Sequence, residues 1–562
     1  MVLDMMILRR LAFFPAVLAS LALAACASVP ERQPQPQPQS QIFVAAAHPL
    51  AAEAGMDVLR KGGSAVDAAV AVQAMLSLVE PQSSGLGGGA FLVHFDAAEG
   101  KVSVLDGRET APAAATPDMF LGADGKPVSR ATAMLSGRAT GVPGVVAMLK
   151  KAHDEKGALP WAALFETTAQ RAEQGFTVTK RLERFIHGDS PQAKAPDVTA
   201  YFRGARAGDT IRNPAYAAFV RRLAEEGSDA FYRGPTAERI VARTRTGPLP
   251  GSMTLADLAG YTPVAREPLC GTYRLLLVCT PPPPASGVGL LQMLAILERT
   301  DIADRGPNDP QAWFLFAEAS RLMYADRDAL VGDPAFVNVP VKAMLDPSYV
   351  AARAALIAPT AGRAPRAGIA PTGADATQEP AGTSHFVVVD ARGNAVSMTT
   401  TVESFFGSGR MVDGFFLNNQ MTDFSLRPEG PNAIAPGKRP RSSMTPLIAL
   451  DAQGRFAAAL GSPGGNAILG YVGKTLVGLV DWNLSMEQAI ALPNLVARGN
   501  AFNGEAAKMA PAVTAGLKAR GITVVAGSGE DSGLHGVIRR GATLEGGADP
   551  RRDGVARAEA VR

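Results

Sequence analysis

Histidine, cysteine and long apolar runs are all scarce in this 562-residue chain, and each shortage removes a class of function. The six histidines, His48, His94, His153, His187, His385 and His535, are scattered without the spacing that gathers imidazoles around one metal ion. No metal or other cofactor is expected. Lysine and arginine number 55 against 52 acidic residues, interspersed along the chain, so no basic run is present to neutralise phosphates. Nucleic acid is therefore not an expected partner. What is present, 47% hydrophobic and 19% charged residues over a length beyond one ordinary core, is the composition of a folded globular protein.

The apolar stretch of note at the N-terminus, Leu11 to Ala25, follows Arg9 and Arg10 and is too short to span a bilayer comfortably. It reads as a signal peptide over residues 1–25. Leu23-Ala24-Ala25-Cys26 resembles a bacterial lipoprotein box, which makes Cys26 the expected lipidation site, with ordinary signal cleavage near the same small residues as the alternative. Residues 26–41, rich in Pro and Gln, have no apolar face and read as an extended tether. The expected location is the periplasm, with the membrane met only through a lipid anchor. In that oxidising compartment Cys270 and Cys279 can pair if a tight turn lies between them, whereas one continuous strand over Gly271 to Val278 would hold them too far apart.

From Pro49 the pattern gives a helix through Leu59 stopped by Gly62-Gly63. A second opens at Ser64 with Asp67 as a capping-box partner and closes at Glu80-Pro81. Gly85-Leu86-Gly87-Gly88-Gly89-Ala90 formally matches a dinucleotide fingerprint, but it follows a helix and enters the strand Phe91 to Phe95, the reverse of the required context, and no Gly-Lys-Ser/Thr follows. Its glycines read as sites of close backbone approach or as pocket lining. Arg108 sits just past the strand Val102 to Leu105, where it can serve a structural ion pair or bind a carboxylate through two parallel hydrogen bonds. Helices dominate from about Val145 to Val241, and another starts near Gly287 after four prolines.

After Arg353 the chain loses apolar periodicity until Gly382, which predicts an exposed or mobile segment. It then enters a strand from Gly382 to Asp390, a turn over Ala391 to Asn394, and a second strand from Ala395 to Val402. A hairpin beginning at a threonine suits self-cleavage: the Thr383 hydroxyl attacks the Gly382 carbonyl, glycine allowing that peptide a strained geometry. The cut would leave Thr383 N-terminal, its α-amine, with an unperturbed pKa of about 7.7 to 8, serving as base for its own hydroxyl. Taken alone, a Gly-Thr before a strand is common and structural.

The surroundings make it specific. Thr383-Ser384-His385, Gly393-Asn394-Ala395-Val396, Phe406-Gly407-Ser408-Gly409, Leu417-Asn418-Asn419-Gln420-Met421, Ser442-Ser443-Met444 and Gly461-Ser462-Pro463-Gly464-Gly465 follow one another as in the γ-glutamyltransferase family. Earlier, His48-Pro49-Leu50, Arg60-Lys61-Gly62-Gly63, Pro81-Gln82-Ser83-Ser84-Gly85 and Arg108-Glu109-Thr110-Ala111-Pro112 also match, so the resemblance runs from about Ile42 to Asp549-Pro550-Arg551. It implies an α+β fold, the four-layer αββα N-terminal-nucleophile hydrolase sandwich, built from a large subunit (42–382) and a small subunit (383–562) cut from one chain. It also implies Thr383 as nucleophile supported by Thr401, and Gly464 and Gly465 as oxyanion donors. Arg108, Ser442 and Ser443 would hold a donor α-carboxylate, and Gln420 and Asp423 its α-ammonium. The implied partners are glutathione or other γ-glutamyl compounds as donors, and water, amino acids or peptides as acceptors.

Two features depart from the family pattern. Glu403 stands where many relatives have Asn, adding a negative charge beside the ammonium subsite. Ser425 to Pro440 is shorter than in relatives with a lid loop, which predicts a site open to water and bulky donors. Two other readings stay open: a cephalosporin or glutaryl-amide acylase with the same precursor scheme, and an uncleaved lipoprotein that binds γ-glutamyl compounds.

Overall fold

The computed structural model describes residues 41–370, 377, 379, 382–527 and 532–561. The expected signal peptide, Cys26 and all of the tether except Gln41 lie outside the described residues. All that is described belongs to the unit Pro36–Arg562.

Two antiparallel sheets form its centre. The first runs Val555–Ala560, Gln41–Ala46, Gly382–Val389, Ala395–Glu403, Gly89–Asp96, Lys101–Gly107, Val264–Arg266. The second runs Thr543–Ala548, His535–Arg540, Phe456–Gly461, Leu447–Leu450, Leu276–Thr280, Leu269–Tyr273. Side chains alternate across a strand, so the apolar run after Thr383 feeds two cores at once. Val387 and Val389 join Phe43, Val93 and Phe95 against Ile448, Ala459 and Val537 of the second sheet. Phe386 and Val388 face the other way, into a core shared with Pro49–Arg60 and Ala65–Val79. Beyond the second sheet, Gly287–Leu297, Pro310–Leu330 and Ile468–Val480 supply the other outer layer. Helix, sheet, sheet, helix is the four-layer αββα order expected.

Local signals explain the placement. Ser64 and Asp67 form the reciprocal capping box that starts Ala65–Val79, and that helix ends at Glu80 as anticipated. The two strands beginning at Gly382 and Ala395 are neighbours near the middle of the first sheet, in register from Thr401 opposite Thr383 to Ala395 opposite Val389. On the far side of the second of these strands, Thr401 faces Gly89. The preceding Gly88 is there for space, since a β-carbon on it would lie 1.9 Å from the Thr401 carbonyl oxygen.

Between Cys270 and Cys279 the chain does not run on as one strand. Arg274, with φ of 54°, and Leu275 make a tight turn, so Leu269–Tyr273 and Leu276–Thr280 form a hairpin with the two cysteines opposite each other, joined as a disulfide. The segment after Arg353 is mixed. Residues 355–370 are irregular and largely exposed, as expected, whereas Thr377 and Glu379 are buried.

Candidate active site

Thr383 and Thr401 face each other across adjacent strands on the side that looks toward the second sheet, and both are buried. A β-bulge lies just beyond, between Thr401 and Glu403, and it shifts the ladder so that Gly382 pairs with Glu403. Glu403 takes φ of 80°, a left-handed conformation rare for a residue with a side chain. The bulge turns the Glu403 amide inward, where it donates to Thr401 Oγ1 at 2.8 Å. Thr383 Oγ1 donates to the same oxygen at 3.2 Å, and Thr401 Oγ1 donates to the Gly382 carbonyl at 2.6 Å. One hydroxyl thus bonds both the Thr383 hydroxyl and the Gly382 carbonyl. On the other side of Thr383, Arg552 Nη1 donates to its carbonyl at 3.1 Å.

Glycine at 382 also answers a demand for space. Its φ lies outside the left-handed region; what glycine supplies is room, because a β-carbon would stand 2.4 Å from the Glu403 carbonyl oxygen and 2.5 Å from the Ser404 carbonyl carbon.

Arg108, Gln420 and Asp423 come together. Arg108 Nη2 donates to Asp423 Oδ2 at 2.5 Å and to the Arg441 carbonyl at 2.9 Å, and Gln420 Nε2 also donates to Asp423 Oδ2. Arg108 is thereby engaged by Asp423 in the unliganded chain. Glu403 borders the group: its carboxylate accepts from Thr422 at 2.9 Å and pairs with Arg130 at 3.3 Å. Burial, reinforced by the neighbouring Asp423 charge, pushes the Glu403 carboxyl well above the usual carboxylate range. Burial raises Asp423 as well, against the pull of Arg108.

Glu109, which the sequence reading passed over, lies beside Arg108 at 3.6 Å. Its carboxylate fills the space a side chain on Gly89 would take, 2.2 Å from that β-carbon position, and Gly89 is the residue opposite Thr401. Neither Glu109 oxygen, nor Asp423 Oδ1, nor Gln420 Oε1 has a hydrogen-bond partner among the described residues. These unpaired buried oxygens are groups that a cationic donor such as an ammonium would satisfy.

Ser442 and Ser443 stand next along the chain from Arg441 but turn to other partners. Ser442 Oγ accepts from the Met444 amide, while Ser443 Oγ accepts from Arg327 Nη2 at 2.7 Å and the Ser443 amide donates to Glu379 Oε2 at 2.7 Å. Gly464 and Gly465, with φ of 136° and 54°, form the turn after Phe456–Gly461. The adjoining Asn466 amide donates to the Glu379 carbonyl at 3.3 Å. Glu379 therefore links the serine pair to the glycine pair four residues before Thr383. The segment Ser425 to Pro440 folds onto itself, Lys438 Nζ donating to the Pro431 and Ala433 carbonyls at 2.8 Å.

Two facing sheets that helices cover on both outer sides form the sandwich of the N-terminal-nucleophile hydrolases. The chain belongs to the gamma-glutamyltranspeptidase family, whose sequence profile matches residues 51–559. Among its relatives are the glutathione hydrolase proenzyme of Bacillus subtilis (strain 168), 37% identical over 471 residues and covering 80% of each chain, and the acylase ACY 1 proenzyme of Pseudomonas sp. (strain SE83), 35% identical over 523 residues, 90% of this chain and 92% of the acylase. The crystal structure of cephalosporin acylase from Bacillus halodurans superposes with a TM-score of 0.82 at 26% identity, covering 94% of this chain and 98% of the acylase.

Glu109 gives the site a measurable pH signature. Burial, only partly offset by Arg108, pushes its carboxyl from 4.5 up to about 8, with Asp423 and Asp106 adding to the rise. An acid raised on folding contributes stability that is complete below the unfolded pKa and is lost as pH rises through the folded one. Between pH 4.5 and 8 the wild-type melting temperature is thus expected to fall relative to Glu109→Gln, as read by thermal denaturation across that range. Parallel curves for the two proteins would contradict the assignment.

Proposed function

We propose that the chain cuts itself between Gly382 and Thr383 and that the product is a γ-glutamyl acyl-transfer enzyme with Thr383 as its nucleophile. The observation that carries this reading is the Thr401 hydroxyl shared between Thr383 Oγ1 and the Gly382 carbonyl. In the first stage Thr383 Oγ1 bonds to the Gly382 carbonyl carbon, the peptide C–N bond breaks, and the hydroxyl proton ends on the freed amine. Water then hydrolyses the ester. The Thr401 hydrogen bond supports the negative charge that develops on the Gly382 oxygen.

In the second stage the new α-amine takes the Thr383 hydroxyl proton, and the oxygen attacks the γ-carbonyl of glutathione or another γ-glutamyl amide. The amine leaves and the acyl group passes to water or an amino acid or peptide. Gly464 and Gly465 serve the oxyanion, the serine pair and Arg108 the α-carboxylate. The unpaired acceptors of Asp423, Gln420 and Glu109, with Glu403 alongside, serve the α-ammonium. Its positive charge offsets the clustered carboxyls that burial holds above their usual range. The short Ser425 to Pro440 segment favours water as an acceptor.

A second reading, an acylase for glutaryl-type amides, draws support from the likeness to acylase ACY 1 and to cephalosporin acylase. Such a donor lacks the ammonium, so the acceptor cluster would have nothing to bind.

Purified wild-type protein is expected to give two chains, the smaller beginning at Thr383, while Thr383→Ala stays whole; electrophoresis and N-terminal sequencing check this. Cleavage of Thr383→Ala at the same bond would assign the cut to another protease, and a wild type that stays whole would favour a binding protein.

Donor class separates the two enzymatic readings. Asp423→Ala should lose kcat/KM on a γ-glutamyl anilide by about ten- to a hundredfold more than on a glutaryl anilide, the cost of one charge-assisted hydrogen bond of roughly 1.5 to 3 kcal/mol. Equal losses on both substrates would assign Asp423 a structural role.

A further inference from the structure

Gly382–Val389 lies between two strands, but at Thr383 a partner strand remains on one side only. Ala395–Glu403 runs the whole way, with Thr401 opposite Thr383, whereas the pairing with Gln41–Ala46 ends at Ala46 opposite Phe386. Where that second ladder stops, a side chain takes over. The buried Arg552 guanidinium donates through Nη1 to the Thr383 carbonyl at 3.1 Å.

The arm that presents Arg552 has a fixed reach. Residues Asp549 to Arg552 form a turn in which the Arg552 amide donates to the Asp549 carbonyl at 3.1 Å and the Arg551 amide to Asp549 Oδ1 at 3.0 Å. The other Asp549 oxygen accepts from Ser532 Oγ at 2.6 Å and from the Leu534 amide at 3.1 Å. Just beyond the turn the chain enters Val555–Ala560, which pairs with Gln41–Ala46 and so ties the arm to the sheet that carries Thr383. Gly533 leaves room for the side chain, since a β-carbon there would lie 2.4 Å from Arg552 Nε and 2.7 Å from Pro463 Cγ.

In the uncut chain Gly382 shares the task of holding Thr383. It pairs with Glu403 across the ladder, and its carbonyl accepts from Thr401 Oγ1 at 2.6 Å. A cut before Thr383 removes both restraints together with the covalent tether, and strand ends are where native structure opens most readily. The pairing with Thr401, the bond between the two hydroxyls and the bond from Arg552 survive it. The hydroxyl bond fixes the side chain; the Arg552 bond fixes the peptide plane, and with it the α-carbon that bears both the amine and the hydroxyl.

We propose that Arg552 is the positioning residue of the mature nucleophile, clamping Thr383 once it has become a chain end. The proposal rests on the reading that the chain is cut before Thr383. Both residues lie after that bond, so the clamp and the nucleophile remain in one product chain. Arg552 acts through Thr383 and not on the donor, and a nucleophile displaced by about 1 Å can lose up to a hundredfold in rate.

The test compares wild type, Arg552→Met and Arg552→Lys in two steps, conversion to two chains and turnover of a γ-glutamyl anilide by the cut product, with melting temperatures confirming that each is folded. Arg552→Met is expected to lower kcat at least about tenfold with KM changed by less than about threefold, and to slow conversion by less than about threefold because Gly382 still restrains the uncut chain. Lysine, which keeps a donor on a flexible stem, should recover most of kcat. Equal losses in the two steps, a folded Arg552→Met that does not cut, a wild-type kcat in that variant, or a loss confined to KM would each overturn the proposal. Should the methionine variant fail to fold, Arg552→Gln is read by the same criteria. A wild type that never cuts, or that cuts without acting on the anilide, would defeat the functional reading itself. A wild type that does both while the Arg552 variants keep pace would defeat this proposal alone.

Discussion

One hydroxyl oxygen organises the centre of this protein. Thr401 Oγ1 accepts from Thr383 Oγ1 and from the Glu403 amide and donates to the Gly382 carbonyl, so its two lone pairs and its proton are all committed. A saturated hydroxyl cannot rotate without losing a bond, and in a buried site each lost bond costs about 1 to 3 kcal/mol. Much of the local architecture serves this arrangement. The bulge after Thr401 brings the Glu403 amide round to the hydroxyl, at the expense of a left-handed backbone at Glu403. Gly382 and Gly88 remove β-carbons that would collide with the same strand from either side.

The placement of the bond between Gly382 and Thr383 carries a second constraint. In both sheets, strands from before and after this bond are hydrogen-bonded to one another: Gln41–Ala46 lies between Val555–Ala560 and Gly382–Val389, and Leu276–Thr280 pairs with Leu447–Leu450. A chain cut there would remain joined by sheet ladders and by three shared hydrophobic cores. Covalent continuity at residue 382 is therefore dispensable for the fold, which leaves the strand start free to become a reactive end.

Much of this could be read from the sequence, and the divide between what could and what could not is physical. Ser64 with Asp67, the Gly-Pro punctuation, and the strand–turn–strand run from Gly382 to Val402 are local signals, and each appears in the structure where its chemistry places it. Motif order points to Thr383, Thr401, Arg108, Gln420 and Asp423, and in the fold Thr383 bonds Thr401 while Arg108 and Gln420 both bond Asp423. Glu379 was missed because its surroundings are rich in Ala, Gly, Pro and Thr and have no periodicity; its burial comes from Arg327, Arg441 and Ser443, partners 52 or more residues away. Arg552 and Glu109 were missed because their contacts, with the Thr383 carbonyl and with the space above Gly89, are tertiary and leave no local pattern. The cysteine pair turned on a two-residue hairpin at Arg274-Leu275, a pair with none of the usual turn residues.

If the Thr401 hydroxyl aligns attack on the Gly382 carbonyl, its removal should be felt in the rate of self-cleavage before any effect on stability. The decisive measurement is the rate at which purified full-length Thr401→Val converts to two chains, beside Thr401→Ser and wild type, with melting temperatures confirming that all three are folded. The account predicts that valine slows conversion by about a hundredfold or more, the scale for losing an oxyanion-type donor, and that serine restores most of it. Conversion of the valine protein at the wild-type rate would contradict it.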